Sequence, residues 1–216
     1  MPSPPTSPIV KERRVSSDEY QRFTVSFQKA SILTVLTNSS SIVDKWIHEV
    51  YHAHQHRIDS LVVGLDVEWR ASYVSNVTYP VAILQLCVGR RCLIFQFLYA
   101  DNIPESLYEF LAKPNFSFVG VGVKEDARKL DRDYGLVVNK PVELPALAAD
   151  IYEMKELRFA GLKKLTNFVL GYDVDKPKEI TMSRWDYWAL SHEQVSGISR
   201  CKDMEQMVDS ILEIFD

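Results

Sequence analysis

Asp66 and Glu68 do not suit their surroundings. They stand inside an apolar run, residues 61–69 (LVVGLDVEW). A strand turns every second side chain to one face, so the two carboxylates share a face with Gly64. Val63, Leu65, Val67 and Trp69 take the other face. Adjacent carboxylates repel each other and are costly to desolvate. A divalent cation relieves both costs, and magnesium and manganese prefer oxygen ligands. A strand end in water would leave both groups simply solvated, and the pair alone does not choose between these readings.

Asp126 is the second such residue. The run 118–123 (FVGVGV) leads into Lys124, Glu125 and Asp126, which places Asp126 in the first turn of a helix. A carboxylate is favoured there by the helix dipole, so an ordinary helix start also explains it. Gly120 and Gly122 indicate close backbone packing. His48, His52, His54 and His56 crowd one stretch, which looks like a zinc cluster, but no cysteine lies close by in sequence, and a solvated helix face is the simpler reading. Cys87, Cys92 and Cys201 make an odd, sparse set with no CxxC pair, which predicts three free thiols and a reducing compartment.

The elements that must position these residues follow from periodicity. Residues 20–27 and 30–37 read as strands, with Gln28 and Lys29 at the turn. A helix starts at Ser41 or Asp44 and runs to about His56. After the strand at 61–69, residues 81–88 and 91–97 form a hairpin through Gly89 and Arg90. A short helix at 103–113 opens at Pro104 and closes at Pro114. A strand at 116–123 runs into a helix ending near Tyr134. Residues 141–150 hold a last short strand. A helix at 161–170 stops at Gly171, and residues 192–215 form one long final helix. This order predicts an α/β fold, a mixed sheet flanked by helices.

The 216 residues suffice for one sizeable α/β domain. The formal net charge of −4 shows no basic nucleic-acid footprint in the totals, although local patches act over about 10 Å. No apolar run is long enough to span a membrane. Residues 1–18 are Pro- and Ser-rich, then charged, and read as a disordered leader before a domain at 19–216.

Taken in order, three stretches resemble the DEDD superfamily of 3′–5′ exonucleases, in its Werner syndrome exonuclease and ribonuclease D-like branch. VGLDVEWR at 63–70, with the hairpin at 81–97, resembles the first motif. FVGVGVKEDARKL at 118–130 resembles the second. WDYWALSHEQ at 185–194 resembles the lead-in to the third. The resemblance spans roughly residues 20–215 and implies a ribonuclease H-like mixed β-sheet flanked by helices. It implies a hydrolase using magnesium or manganese in a two-metal mechanism. Asp66 would bridge both ions, Glu68 would hold the nucleophile-side ion, and Asp126 would act on the second. The backbone of Val67 and the ring of Trp69 would hold the 3′-terminal nucleotide.

The third motif departs from the family pattern, Tyr-x-x-x-Asp. The alignment puts Gly197 at the tyrosine and Cys201 at the aspartate. Glycine has no hydroxyl, and a thiol is a poor ligand for a hard cation. Asp203 is the possible substitute, but two residues turn a helix by ~200° and advance ~3 Å, which points it away from the other acids. Glu205 lies about 6 Å beyond Cys201 on roughly the same face. Two functions are therefore expected to compete. One is a metal-dependent 3′–5′ exonuclease, weakened or inactive. The other is a non-catalytic nucleic-acid- or protein-binding module, a pseudoenzyme. Lys124, Arg128, Lys129 and Arg132, with Lys163, Lys164, Lys176, Lys178 and Arg184, could line an approach for a nucleic-acid backbone. The resemblance also allows a homo-oligomer, a ring in some relatives. With a reducing compartment, an intracellular home in nucleus or cytoplasm is expected.

Overall fold

The computed structural model describes residues 9–13, 20–27, 30–72, 74–173, 178–197 and 199–212. Among these, eight strands form one sheet: β1 (Ile9–Arg13), β2 (Tyr20–Phe27), β3 (Ala30–Thr37), β4 (Val62–Trp69), β5 (Val81–Val88), β6 (Arg91–Gln96), β7 (Ser117–Gly120) and β8 (Pro141–Glu143). Their order is β1-β2-β3-β6-β5-β4-β7-β8. The sheet is mixed. β1–β2–β3 and β6–β5–β4 run antiparallel, whereas β3–β6, β4–β7 and β7–β8 are parallel.

Helices cover both faces, which is why β5 is buried at every residue. On one face, α1 (Ser40–Ala53), α2 (Glu105–Leu111) and α3 (Val123–Tyr134) pack over Val63, Leu65, Val67, Leu84, Phe95 and Phe118. The other face carries two separate apolar clusters. In one, Trp185 and Val195 lie on Ile83, Cys87 and Ile94. In the other, α4 (Leu144–Ile151), α5 (Leu162–Leu170) and α8 (Ser199–Leu212) enclose Val119 through Leu144, Leu165, Met204 and Met207. Two short helices, α6 (Lys178–Thr181) and α7 (His192–Ser196), flank Trp185 in sequence.

Four expectations change. Ile9–Arg13, inside the stretch expected to be a disordered leader, pairs with β2 along its whole length; its Ile-Val pair suits an edge strand. The rest of residues 1–18, and the Gln28–Lys29 turn, lie outside the described residues. Only 141–143 of the 141–150 stretch is strand. The remainder is α4, because Leu144 and Ala148 recur at helical spacing and Pro145 suits a first turn. The single final helix becomes α7 and α8, with Gly197 capping α7. Glycine is a poor helix former, by about 1 kcal/mol relative to alanine. Finally, Cys87 and Cys92 are joined as a disulfide. The hairpin turn sets them directly opposite each other, which an odd cysteine count does not reveal. The inference of a reducing compartment, which rested on three free thiols, loses its ground. The Cys201 side chain lies outside the described residues.

The end of α3 grips the start of β5. Lys129, 3% exposed, donates from Nζ to Asp133 Oδ2 at 3.0 Å and to the Tyr79 carbonyl at 2.6 Å. Asp133 Oδ2 also accepts from the Val81 N–H at 2.9 Å. The Tyr134 hydroxyl donates to the Val81 carbonyl at 2.6 Å. The Lys129 ammonium stands 4.9 Å from the centre of the Trp69 ring. This grip fixes the end of β4 through its neighbour. Removing one partner of a buried pair strands the other charge. Asp133→Ala is therefore expected to cost about 3–5 kcal/mol in urea unfolding. Lys129→Met should cost less, because Asp133 keeps the Val81 N–H. The reverse ranking would show that the pair is not what holds this corner.

Candidate functional site

The strand β4 carries Asp66 and Glu68 on the face where the two apolar clusters meet. Asp66 pairs in register with Gln85, and Glu68 with Ile83. β7 pairs with β4 only from Val62 to Gly64. Beyond Gly64 the carboxyl end of β4 extends past its parallel neighbour, leaving a crevice, the position where open α/β sheets commonly place ligands. The register with β5 shifts between Glu68 and Trp69, and such irregularities re-aim side chains at a sheet rim.

Asp126 arrives from the other side of that crevice. β7 ends at Gly120, whose backbone approaches β4 so closely that a Cβ there would lie 2.8 Å from the Leu65 carbonyl oxygen. Gly122 has a different reason to be glycine. Its φ is +84°, with open space where a Cβ would be, so the chain turns there in the left-handed region. Glu143 of β8 clamps this turn. Its two carboxylate oxygens accept from the N–H groups of Gly122 and Lys124, each at 2.9 Å. Sequence reasoning missed Glu143, which carries no signal beyond being an acid at a strand end.

The three acids feel one another. Asp126 is buried, and its carboxyl is pushed up to about 8, first by burial and then by the charges of Asp66, Glu68, Glu143 and Glu125. These effects outweigh the helix-start field that would favour the anion. The site is thus an all-oxygen donor set with an excess of negative charge, which suits a hard divalent cation. Among the described residues, no three of His, Cys, Asp and Glu already close on a single point as a preformed metal cage.

Other expected residues fall elsewhere. The Val67 side chain is in the core. Trp69 is half-buried on the α3 face, opposite the acids, under Lys129, so its ring is not presented beside them. Asp203, 2% exposed, accepts from the Tyr172 hydroxyl at 2.9 Å. Burial first, then Asp203, drives the Tyr172 phenol well above its usual range. Glu205 does not reach back toward the acids. Both its oxygens accept from the Gly89 N–H at 2.9 Å, at the β5–β6 turn. Gly197 caps α7, and the Cys201 side chain lies outside the described residues. Of the basic residues, Lys129 is buried, Arg128 pairs with Glu125 at 2.7 Å and Arg132 with Asp133 at 3.1 Å. Lys176 and the Lys178 side chain lie outside the described residues. His48, His52 and His56 are exposed, and His54 lies against Gly89.

A family model described as 3′–5′ exonuclease matches residues 35–196. The chain belongs to the 3′–5′ exonuclease domain family. An Arabidopsis thaliana 3′–5′ exonuclease is 27% identical over 192 residues, 83% of this chain and 66% of that protein. The Mus musculus bifunctional 3′–5′ exonuclease/ATP-dependent helicase WRN is 32% identical over 137 residues, 63% of this chain and 10% of that protein. The chain thus spans from about a tenth to two thirds of these relatives' lengths. A crystal structure of the EXD2 exonuclease domain is 24% identical, covers 85% of this chain and 94% of its own, and superposes with a TM-score of 0.50. That likeness shows the fold, a ribonuclease H-like mixed sheet flanked by helices. The EXD2 domain has also been solved after soaking in Mn and Mg.

The raised Asp126 carboxyl has a pH signature. Unfolded, this group ionises near 3.8; folded, near 8. Between those values the folded protein holds a proton that the unfolded chain lacks, so rising pH erodes stability. In EDTA, Asp126→Asn is expected to melt above the wild type at pH 8 and to converge with it toward pH 4. Manganese should raise the wild-type melting temperature and leave the variant nearly unmoved. Thermal melts across this range check both. A wild-type melting temperature that does not fall relative to the variant would show that Asp126 is not confined with the other acids.

Proposed function

We propose that this chain is a metal-dependent 3′–5′ exonuclease domain acting on a nucleic-acid 3′ end, DNA or RNA, with diminished catalysis. The observation that carries the reading is the confinement of Asp66, Glu68 and Asp126 beside one another at the carboxyl ends of parallel neighbours, in a chain of this family. These three residues would hold the magnesium or manganese ions. When bound, such ions activate a water and neutralise charge on the phosphate. By the resemblance, Asp66 would serve both ions. Glu68 and Asp126 flank it from β4 and α3. Glu143 keeps Asp126 in place by clamping the turn before it. By the resemblance, the backbone at Val67, beyond the stretch of β4 that pairs with β7, would hold the terminal nucleotide.

Diminished catalysis is supported by the last helices. The family match ends at residue 196, just before Gly197 and Cys201. Gly197 supplies no hydroxyl to orient a water. Asp203 is engaged by Tyr172, and Glu205 by the hairpin turn. A missing ligand and an unplaced water cost rate because two-metal chemistry depends on position. The same observations favour a second reading, a non-catalytic module that keeps the fold for binding. Homo-oligomeric assembly rests on the resemblance alone.

The test is shortening of a 5′-labelled single strand and of a recessed duplex, with magnesium and with manganese, beside Asp66→Ala. Slow, metal-dependent shortening that disappears in Asp66→Ala is expected. Gly197→Tyr combined with Cys201→Asp should accelerate it by roughly tenfold or more, given the two to four powers of ten that positioned acid–base groups contribute. A wild type that the double variant does not improve would refute the missing-machinery account. No shortening by either protein would leave the binding module.

A further inference from the structure

Met182, Ser183 and Arg184 form one wall of a cleft of about 300 Å³, and Arg70, Ala71, Ser72, Val74 and Tyr79 form the other. The cleft lies on the acid face of the sheet. Trp185 anchors the segment there against Ile83 and Ile94, and Ile83 is the register partner of Glu68. Arg70 follows β4 directly, two residues beyond Glu68.

Two guanidinium groups stand in this cleft. Arg184 donates to both oxygens of Asp186, from Nε at 2.8 Å and from Nη2 at 3.1 Å. Arg70 lies 3.5 Å from the same carboxylate, and its guanidinium carbon is 5.0 Å from the centre of the Tyr79 ring. Two cations share one anion, so the cleft keeps a net positive charge. Both stay accessible, with side chains 41% and 64% exposed for Arg70 and Arg184. Their shared carboxylate and the Tyr79 ring hold them in place, so little side-chain entropy is left to lose on binding an anion.

Two aromatic residues follow Arg184 closely in sequence. Tyr187 and Trp188 are 51% and 63% exposed. Their backbone is pinned rather than loose. The Tyr99 hydroxyl donates to the Asp186 carbonyl at 2.7 Å, and Gln96 Nε2 donates to the Trp188 carbonyl at 3.0 Å. Large rings held outward, close in sequence to a fixed guanidinium group, match the two needs of a single-stranded nucleic acid: charge for the backbone and flat faces for unpaired bases.

We propose that this surface is a single-strand binding track, in which Arg70 and Arg184 hold backbone phosphates and Tyr187 and Trp188 stack bases, leading to the acid crevice. The assignment builds on the exonuclease reading for the direction of the track. Its own test is binding without metal. The probes are 5′-fluorescein oligo(dT) and oligo(U), followed by anisotropy in EDTA over a series of salt concentrations. Each lost phosphate contact lowers the slope of log affinity against log salt by about 0.7 for single strands. Arg70→Gln with Arg184→Gln should therefore lower it by about 1.4 and weaken binding of at least one oligonucleotide roughly tenfold. The corresponding lysine variants should keep most of the slope. Trp188→Ala should weaken binding roughly fivefold to hundredfold with the slope unchanged, and Tyr187→Ala serves where that variant does not fold.

Asp66→Asn separates this assignment from the nuclease reading, because it should bind both probes at least as tightly as the wild type while losing any shortening. Glutamine variants that match the wild type in affinity and slope would overturn the track. A wild type that binds neither oligonucleotide at low salt would also overturn it, and would assign the surface to a protein partner.

Discussion

Mutual repulsion among carboxylates at the end of β4 is the constraint on which the rest of this structure depends. Asp66 and Glu68 share a strand face, and Asp126 is buried beside them with its proton retained to about pH 8. Such a cluster opposes folding unless its members are neutralised or held in place from outside. The surrounding structure holds them. Gly120 lets β7 press against the Leu65 carbonyl. Gly122 and Glu143 fix the turn into α3. At the far end of α3, Lys129, Asp133 and Tyr134 fasten the helix to the start of β5. Asp126 and the end of β4 are therefore positioned by one helix attached at both ends.

Much of this was legible in the residues. Alternation in 61–69 placed both acids on one face, and the structure agrees, with Val63, Leu65 and Val67 in the opposite core. The strands at 20–27, 30–37 and 81–88 fall where β-branched runs place them. What was not legible depends on contacts distant in sequence. Glu143 becomes a clamp only when β8 lies beside β7. Cys87 meets Cys92 only through the hairpin register. The resemblance gave Trp69 a stacking role, but Lys129, 60 positions later in the sequence, lies over its ring. Gly122 was read as close packing, whereas it answers to a positive φ; periodicity does not separate these two uses of glycine.

The C-terminal helices show the same division of labour from the other side. Arithmetic on a regular helix turned Asp203 away from the acids and left Glu205 a possible reach back. The chain instead breaks near Gly197 into α7 and α8. Buried acids on α8 are then drawn into structural bonds, Asp203 with Tyr172 and Glu205 with the Gly89 turn. Burial of a carboxylate demands partners. Glu205 shares the Gly89 N–H between its two oxygens, a charge-assisted contact that holds it at the hairpin turn. The helix thus holds the hairpin and the outer cluster of Met204, Met207 and Ile211, a role independent of whether the site turns over.

Binding and catalysis place different demands on such a site. Catalysis requires each oxygen to be placed within fractions of an ångström, so on the proposed reading the missing hydroxyl at Gly197 and the missing carboxylate at Cys201 would remove rate steeply. Binding of a backbone requires only charge and flat surface in roughly the right place, and it tolerates sequence and register. The proposed track has what the second demand would require: two guanidinium groups held by Asp186, exposed rings on a pinned segment, and a crevice at the carboxyl end of β4. The features serving the first are divided, with three acids confined and the last helix committed elsewhere. A chain can lose rate by several powers of ten through two substitutions on one helix while the surface that recruits a strand, built from other elements, is left untouched. On the proposed reading, that asymmetry would make nucleic-acid binding more tolerant of substitution in this fold than catalysis.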